Sequence, residues 1–526
     1  MKKIHQLIGL LLILVFILPG CTKSFNDLNQ NPNKPTSVPA ALLFNGILNS
    51  LYDPVYNENE KWCQYFLWNY DYYGNNRYDF GSGSDYFATL TNTNQMVQEA
   101  TKQGLPAVNP YEALAKFFKA YFFTKMSLEM GDIPMNQALQ GSKNLTPVYD
   151  PQKTVFLNAF LWLDSANADL ATLISQSDNT LQGDIYYSND LSKWQKAVNS
   201  FRLRLLVHLS MHASDADLNV AQQFSKILND KTSYPIFEDG KDNLQYNFIY
   251  PTNNYPQNPG IFGFNALREN TSATYVSLLT QYQDPRVYIT CEPATALVSA
   301  GTSATSFAAF VGANPGEDLG QMYIEANNGQ YSLINRKHYY DSYTGEPSIQ
   351  IGYPEQCFNI AEAINRGWIP SGPLGDAEAY YKAGILASWA YYDIPVVAGP
   401  MTVYFLHPGA SLGVYDTYTV NVDFNAYYNQ ASVKYAGNNP NGLTQILSQR
   451  YIALFRHSGL ESYYTYRRTG VPNFTTGPGT GNSGRIAWRF QYPSIEKTAN
   501  VTNYNSALQS QYGGTDDING VMWLVK

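Results

Sequence analysis

The chain has 526 residues, with 34 basic and 42 acidic side chains set against 43 Tyr, 26 Phe and 8 Trp. Only 14% of it is charged, where a globular protein carries about 25%, and 44% is hydrophobic, enough to bury a large core, which excludes disorder. The net charge of −8 excludes a phosphate-backbone binder, which needs a basic stripe, so nucleic acid is not an expected partner.

Lys2 and Lys3 precede an apolar run from Leu7 to Leu18, which closes on Pro19-Gly20-Cys21. The run is too short to span a bilayer, which takes about 20 apolar residues, and has the length of a secretory h-region. Residues 1–20 are therefore expected to be a removed signal, leaving the mature chain more acidic by the loss of Lys2 and Lys3. Gly20-Cys21 resembles a bacterial lipobox, so Cys21 is the expected lipidation site and first mature residue, anchoring the protein to a membrane. The competing reading is an ordinary signal with an incidental cysteine. Residues 21–39 are rich in asparagine and contain Pro32, Pro35 and Pro39, which reads as an extended tether.

Apolar residues then recur at helical spacing over 40–51, 57–70, 86–103, 110–130, 152–175, 190–212 and 216–229. The clearest run is Tyr111, Leu114, Phe117, Phe118, Tyr121 and Phe122, opened by Asn109-Pro110 and closed by Gly131. From 231 to 350 the pattern fails amid Tyr, Asn, Gly and Pro, with short extended pieces at best, such as 286–291 and 331–340. Helices resume at 354–366, 376–392 and 441–468. The uncharged stretch Pro472–Gly484 is turn-forming and reads as surface loop. Small residues alternate with aromatics, as from Ala377 to Ala390, which suits tetratricopeptide-like pairs, although no clean 34-residue period runs through the chain. The predicted class is mainly α. Helix pairs over 40–230 and 354–470 form a scaffold, with a loop-rich insert at about 231–350 and C-terminal loops at 471–526, all within one domain spanning 40–526.

No catalytic motif stands out. His208 and His212 share a helical face but lack the glutamate of H-E-x-x-H, and there is neither a G-x-S-x-G elbow nor a phosphate loop. A pair of acids for glycoside hydrolysis leaves no local mark, and none is singled out. Cys63, Cys291 and Cys357 have no C-x-x-C spacing; they read as small buried hydrophobes, with one disulfide possible but not indicated. Asp516-Asp517-Ile518-Asn519-Gly520 offers oxygen ligands for Ca²⁺ but lacks the closing glutamate of an EF-hand. No metal or cofactor is expected.

Several segments together resemble the SusD/RagB family of surface nutrient-uptake lipoproteins. They are Asp27-Leu28-Asn29 through Asn31-Pro32-Asn33-Lys34-Pro35-Thr36; Gly131-Asp132-Ile133-Pro134; and Trp194 through Leu205 with Asn199, Arg202 and Arg204. Further on come Asp284-Pro285-Arg286, Tyr353-Pro354-Glu355 through Arg366-Gly367, Gln449-Arg450-Tyr451, Arg467-Arg468-Thr469-Gly470, Arg489-Phe490 and Asp516-Asp517. The resemblance implies a tetratricopeptide-like scaffold with an irregular subdomain packed on it. It also implies a place on the outer face of the outer membrane, capping a SusC-like TonB-dependent barrel, with residues 22–60 the first place to look for that contact. Asn199, Arg202, Arg204, Arg467 and Arg468 are expected to make buried polar contacts with the tether or neighbouring loops.

Tyrosine and tryptophan offer rigid apolar faces with polar tips, and a sugar's C–H face can lie on such a ring while its hydroxyls seek amides. Trp68-Asn69-Tyr70-Asp71-Tyr72-Tyr73-Gly74-Asn75-Asn76-Arg77-Tyr78 holds these parts together. Trp68, Tyr72 and Tyr73 are expected to stack on a ligand and Asn75, Asn76 and Arg77 to hydrogen-bond it, broadly where glycan-binding members of the family place an aromatic loop. Tyr250, Tyr255, Phe262, Tyr339, Tyr340 and Tyr343 in the middle loops rank second. The competing reading for any one of these rings is packing. The expected function is non-catalytic capture of an oligosaccharide for delivery to the barrel. The alternatives are a peptide-binding lipoprotein of the same family, a mainly structural lid with weak ligand affinity, and, less favoured, a glycan hydrolase.

Overall fold

The computed structural model describes residues 37–526. The predicted signal, the lipidation site Cys21 and most of the tether therefore lie outside the described residues. The helices begin with α1 (Ala40–Leu51), α2 (Phe87–Lys102), α3 (Pro110–Met130), α4 (Gln152–Ser175), α5 (Leu191–His208) and α6 (Val220–Asn229). The middle region contributes α7 (Ala273–Gln281) and α8 (Leu319–Asn327). Then follow α9 (Tyr353–Asn365), α10 (Ala377–Tyr391), α11 (Pro440–Ala453), α12 (Glu461–Thr469) and α13 (Val501–Tyr512). The first five pack each against the next, α5 also packs on α9, and α9 packs on α10 and α11, so the scaffold is a run of neighbouring helix pairs. Among the described residues no helix is long and apolar enough to cross a membrane.

Local chemistry sets the ends of α3. The Asn109 side chain accepts from the Glu112 amide at 3.1 Å, Pro110 occupies the first turn, and Gly131 leaves the helix at φ +96°. Its aromatic side chains are buried nearly all round, as befits a helix with neighbours on both sides.

Where the helices meet, the interior carries charge. Arg204 on α5 donates Nε to Glu355 on α9 at 2.8 Å, Arg450 on α11 reaches the same carboxylate at 2.8 Å, and Glu461 on α12 joins Arg450 at 3.2 Å and His208 at 3.1 Å. Arg468 grips Glu362 at 2.7 Å, and Arg366 reaches it at 2.8 Å. Burial would raise the Glu362 pKa, but the two guanidinium groups outweigh it and hold the acid down to about 2. Arg202 pairs with Asp164 on α4, and Arg467 donates to the carbonyls of Leu128 and Trp488 at 2.7 Å each. The expected buried contacts of these arginines are made, and their partners are scaffold helices and C-terminal loops.

Among the described residues four short antiparallel pairs complete the fold. Those used below are β1 (Phe66–Trp68) with β3 (Glu269–Thr271), β2 (Leu244–Tyr246) with β4 (Ser348–Ile351), and the hairpin β5 (Gly399–Leu406) with β6 (Tyr415–Val422).

Several sequence expectations need correcting. The stretch 57–70 is a short helix, Glu58–Trp62, followed by β1; Gln64 takes φ +55°, which ends the helix and turns Phe66–Trp68 onto β3. The stretch 441–468 breaks between α11 and α12, where Arg456, Ser458 and Gly459 all take positive φ. Residues 287–290 and 336–340 form helical turns instead of extended chain, the β5–β6 hairpin was unanticipated, and 471–526 holds α13. The Pro472–Gly484 stretch is irregular but partly interior: Phe474 is buried and stacks on Tyr466 at 4.4 Å. Cys63, Cys291 and Cys357 are buried free thiols, and Asp516 spends its carboxylate on Arg489 at 2.8 Å and the Tyr504 hydroxyl at 3.1 Å.

Candidate functional site: an aromatic platform

β1 ends at Trp68, and a single 3₁₀ turn, Asp71–Tyr73, lifts the next rings to the surface before Gly74, at φ +130°, turns the chain back. The return is fixed by Asn76, whose amide brackets the Trp68 backbone: Oδ1 accepts from the Trp68 N–H at 2.9 Å and Nδ2 donates to its carbonyl at 2.8 Å. The side chain thus replaces a missing strand partner. Across β3, the segment Phe264–Arg268 rises beside this turn, and α8 brings Tyr323 to the same surface.

Three distant pieces of chain thereby build one platform. Tyr72 is 81% exposed, Phe264 55% and Tyr323 37%, with Leu267 and Ile324 exposed beside them. Tyr70, half-buried, links them: its ring centroid lies 5.3 Å from Tyr323, 6.3 Å from Phe264 and 6.5 Å from Tyr72. Tyr73 stacks on Trp68 at 5.5 Å and donates its hydroxyl to Asn265 at 2.5 Å. Beneath Phe264, at 3.8 Å from its ring, is the guanidinium of Arg268. Exposed apolar faces ringed by amides suit a ligand with an apolar face and a hydroxylated edge.

Below the platform the protein is polar but closed. Glu269, on β3 opposite Trp68, is fully buried and accepts from the Tyr340 hydroxyl at 2.7 Å and from the Gln257 amide. Burial pushes its carboxyl up to about 8, and Tyr56, Arg456 and Tyr340 oppose this only in part, which favours the protonated acid near neutral pH. An acid raised in the fold gives stability that is fully present below its unfolded value of about 4.3 and is lost as pH rises through about 8. Glu269→Gln is therefore expected to melt within a few degrees of wild type at pH 6, because Gln257 can turn its unpartnered Oε1 toward the new amide. At pH 9 the variant should be the more stable protein. Parallel melting curves across that range would refute a neutral Glu269.

A family model described as starch-binding associating with outer membrane matches residues 32–493. The chain belongs to the SusD-like family. Among solved structures, a SusD homolog from Bacteroides fragilis is 31% identical, with a TM-score of 0.79 over 93% of this chain and 100% of its own. A second from the same species is 26% identical, with a TM-score of 0.75 over 93% and 100%. A chitin-binding SusD homolog from Flavobacterium johnsoniae, at 20% identity and a TM-score of 0.66 over 93% and 98%, shares the fold. No curated protein matches the chain. The predicted mainly α fold is thus that of the family.

In this SusD-like chain the structure separates the predicted site residues. Tyr72, Tyr73 and Asn75 reach the surface together, with Asn75 Oδ1 accepting from the Arg77 amide at 3.0 Å. Arg77 is exposed but turned to Asp79, its Nε 2.5 Å from the carboxylate. Trp68, 7% exposed, lies between Tyr73, Tyr56 and Phe66 as the floor, and Asn76 is buried in the backbone bracket. Tyr255, Tyr339 and Tyr340 are fully buried, so these three middle-loop rings are packing and offer no face. Phe262 is half-buried against Tyr340. Tyr250 is exposed and pairs with Tyr343 at 4.8 Å. Sequence reading missed the roles of Tyr70, Phe264, Arg268 and Tyr323.

A cleft of about 300 Å³ lies within the SusD-like scaffold, lined by Asp53, Lys125, Glu129, Arg204, Glu461 and Tyr464 among others. Its charges answer one another: Lys125 meets Asp53 at 2.6 Å, and Glu129 accepts from the Ser84 amide at 2.6 Å. Trp62, Tyr86, Tyr121, Phe201 and Phe490 also line it, so its aromatic side chains sit in a recess beside paired charges, whereas those of the platform lie on the surface. No cluster of three or more His, Cys, Asp or Glu able to hold a metal exists among the described residues.

Proposed function

We propose that the protein is a non-catalytic surface lipoprotein that captures an oligosaccharide on the platform and delivers it to a SusC-like TonB-dependent barrel. The observation that carries this reading is the convergence of Tyr72, Phe264 and Tyr323, from three separate chain segments, onto one exposed surface around Tyr70. Stacking faces that cost nothing to order are what a flexible glycan needs, since little entropy is lost on the protein side. The family's association with starch binding and the outer membrane supports the same reading, as does the chitin-binding relative of like fold. Cys21 supplies the lipid anchor in this account, and the platform is the ligand-facing surface.

Retention on affinity gels containing immobilised polysaccharides, run beside gels bearing a peptide pool, tests it. Retardation by at least one polysaccharide, with no released sugar over hours, is expected. Retention by peptide alone would assign the site to the peptide-binding branch, and product release would make the protein a hydrolase.

A further inference from the structure

Buried arginines in this protein are answered by a carboxylate. Arg204 has Glu355, Arg286 has Asp284, Arg336 has Glu292, Arg450 has Glu355 and Arg468 has Glu362. Arg467 lacks one, but it gives Nη1 and Nη2 to backbone carbonyls at 2.7 Å each. Arg268, directly under the platform and 4% exposed, has neither. Arg456, Arg467, Arg468 and Arg489 also bury an unpartnered guanidinium nitrogen, as Arg268 does its Nε, but each of them meets a carboxylate or carbonyls through another nitrogen. The one side-chain hydrogen bond of Arg268 among the described residues is a long contact from Nη1 to Asn327 Oδ1 at 3.4 Å. In the two neighbouring segments Glu325 accepts from Gln321 at 2.8 Å and Asp71 is exposed, and neither forms an ion pair with Arg268 among the described residues. What holds the charge is three rings, with Phe264 at 3.8 Å, Tyr70 at 5.2 Å and Tyr323 at 5.5 Å from the guanidinium carbon.

A buried cation without a counter-ion is costly, and ring faces recover only part of the loss. The same rings that steady Arg268 are those proposed to stack on ligand, so a sugar lying on Phe264 and Tyr323 brings its substituents to the guanidinium's edge. From this we infer that the platform selects an acidic saccharide, one whose ring carries a carboxylate or sulfate that completes the coordination of Arg268. The inference rests on the platform reading above and narrows its ligand class. A planar guanidinium takes two oxygens of such a group at once, in a partly water-excluded setting where the bond is charge-assisted.

Calorimetric titration of the full chain in detergent tests this with four probes. These are oligogalacturonate, an oligosaccharide of glucuronate type, the oligogalacturonate backbone with its carboxylates reduced to alcohols, and a neutral-backbone oligosaccharide carrying sulfate esters. At least one acidic probe is expected to bind tenfold or more tighter than the reduced backbone, with affinity falling as salt is raised. Whether carboxylate or sulfate gives the larger gain identifies the group. Arg268→Gln should abolish the preference, and Arg268→Lys, which keeps the charge but not the fork, should retain part of it. The salt dependence of wild type reads the same contact should either variant fail to fold. Equal affinity for acidic and reduced probes, or a preference that survives in Arg268→Gln, overturns the inference and leaves the platform standing. If no acidic probe binds the folded protein the inference falls, and retention on the polysaccharide gels decides the platform separately.

Discussion

Replacing Tyr72, Phe264 and Tyr323 together by alanine is expected to weaken oligosaccharide binding roughly a hundredfold, while shifting the melting temperature by no more than a few degrees. Each aromatic contact is worth about 0.5–1.5 kcal/mol beyond the area it covers, and every 1.4 kcal/mol is tenfold in affinity, so three rings span roughly tenfold to a thousandfold. The loss of stability is small because all three side chains are exposed in the free protein, and Arg268, losing Phe264 and Tyr323, keeps Tyr70 and gains water. Trp68 makes the contrast. It is 7% exposed and packed against Phe66, Tyr56 and Tyr73, so Trp68→Ala should cost about 3–5 kcal/mol of stability. A triple variant that binds like wild type in calorimetry would remove the platform from the account. One that melts far below wild type would make these rings structural.

Glu355→Ala is expected to be the most damaging single change in the scaffold, at about 3–5 kcal/mol. This carboxylate, 1% exposed, takes both Arg204 from α5 and Arg450 from α11, and α9 carries it between them. Its removal leaves Arg204 with no carboxylate and Arg450 with Glu461 alone, and the two buried guanidinium groups repel one another. Thermal unfolding of the variant should begin far below that of wild type and show as lost helical signal. Arg202→Ala is the milder comparison, because its partner Asp164 is 38% exposed and can be rehydrated, and Lys226 remains beside it. Similar losses in both would mean that burial of the Glu355 hub contributes nothing special.

How much of this was legible in the sequence follows from how local each signal is. The ends of α3 could be read because Asn109-Pro110 and Gly131 act within one turn of the helix. β1 could not, because three residues are too few to show a period of two, and its partner β3 lies some two hundred positions away. The same distance hid the platform. Segment 68–78 announced itself by its run of aromatics, but Phe264, Arg268 and Tyr323 gain meaning only where β3 and α8 bring them beside Tyr70. Within that run, sequence could not tell Tyr72 from Trp68 or Asn75 from Asn76, since the alternation between surface and floor is set by the 3₁₀ turn and the Asn76 bracket.

The abundance of tyrosine beside so little charge has a physical origin in the same irregularity. A fold with many loops leaves backbone carbonyls without helix or strand partners, and buried tyrosines serve them. Tyr65 donates to the Tyr451 carbonyl at 2.8 Å, Tyr451 to that of Gln64 at 2.8 Å, and Tyr187 to that of Asp242 at 2.7 Å. Tyr255 and Tyr339 are buried too, though their hydroxyls meet no partner among the described residues, and their position in polar loops misled the reading of 231–350. Few tyrosines are left exposed, and of these Tyr72 and Tyr323 share the proposed platform.

The most direct measurement is a crystal structure of the protein soaked with the oligosaccharide that affinity gels select. The account predicts sugar rings lying on Tyr72, Phe264 and Tyr323, with Arg268 within hydrogen-bond distance of a ligand oxygen. Ligand bound instead in the cleft beside Lys125 and Glu129, with the platform bare, would contradict it.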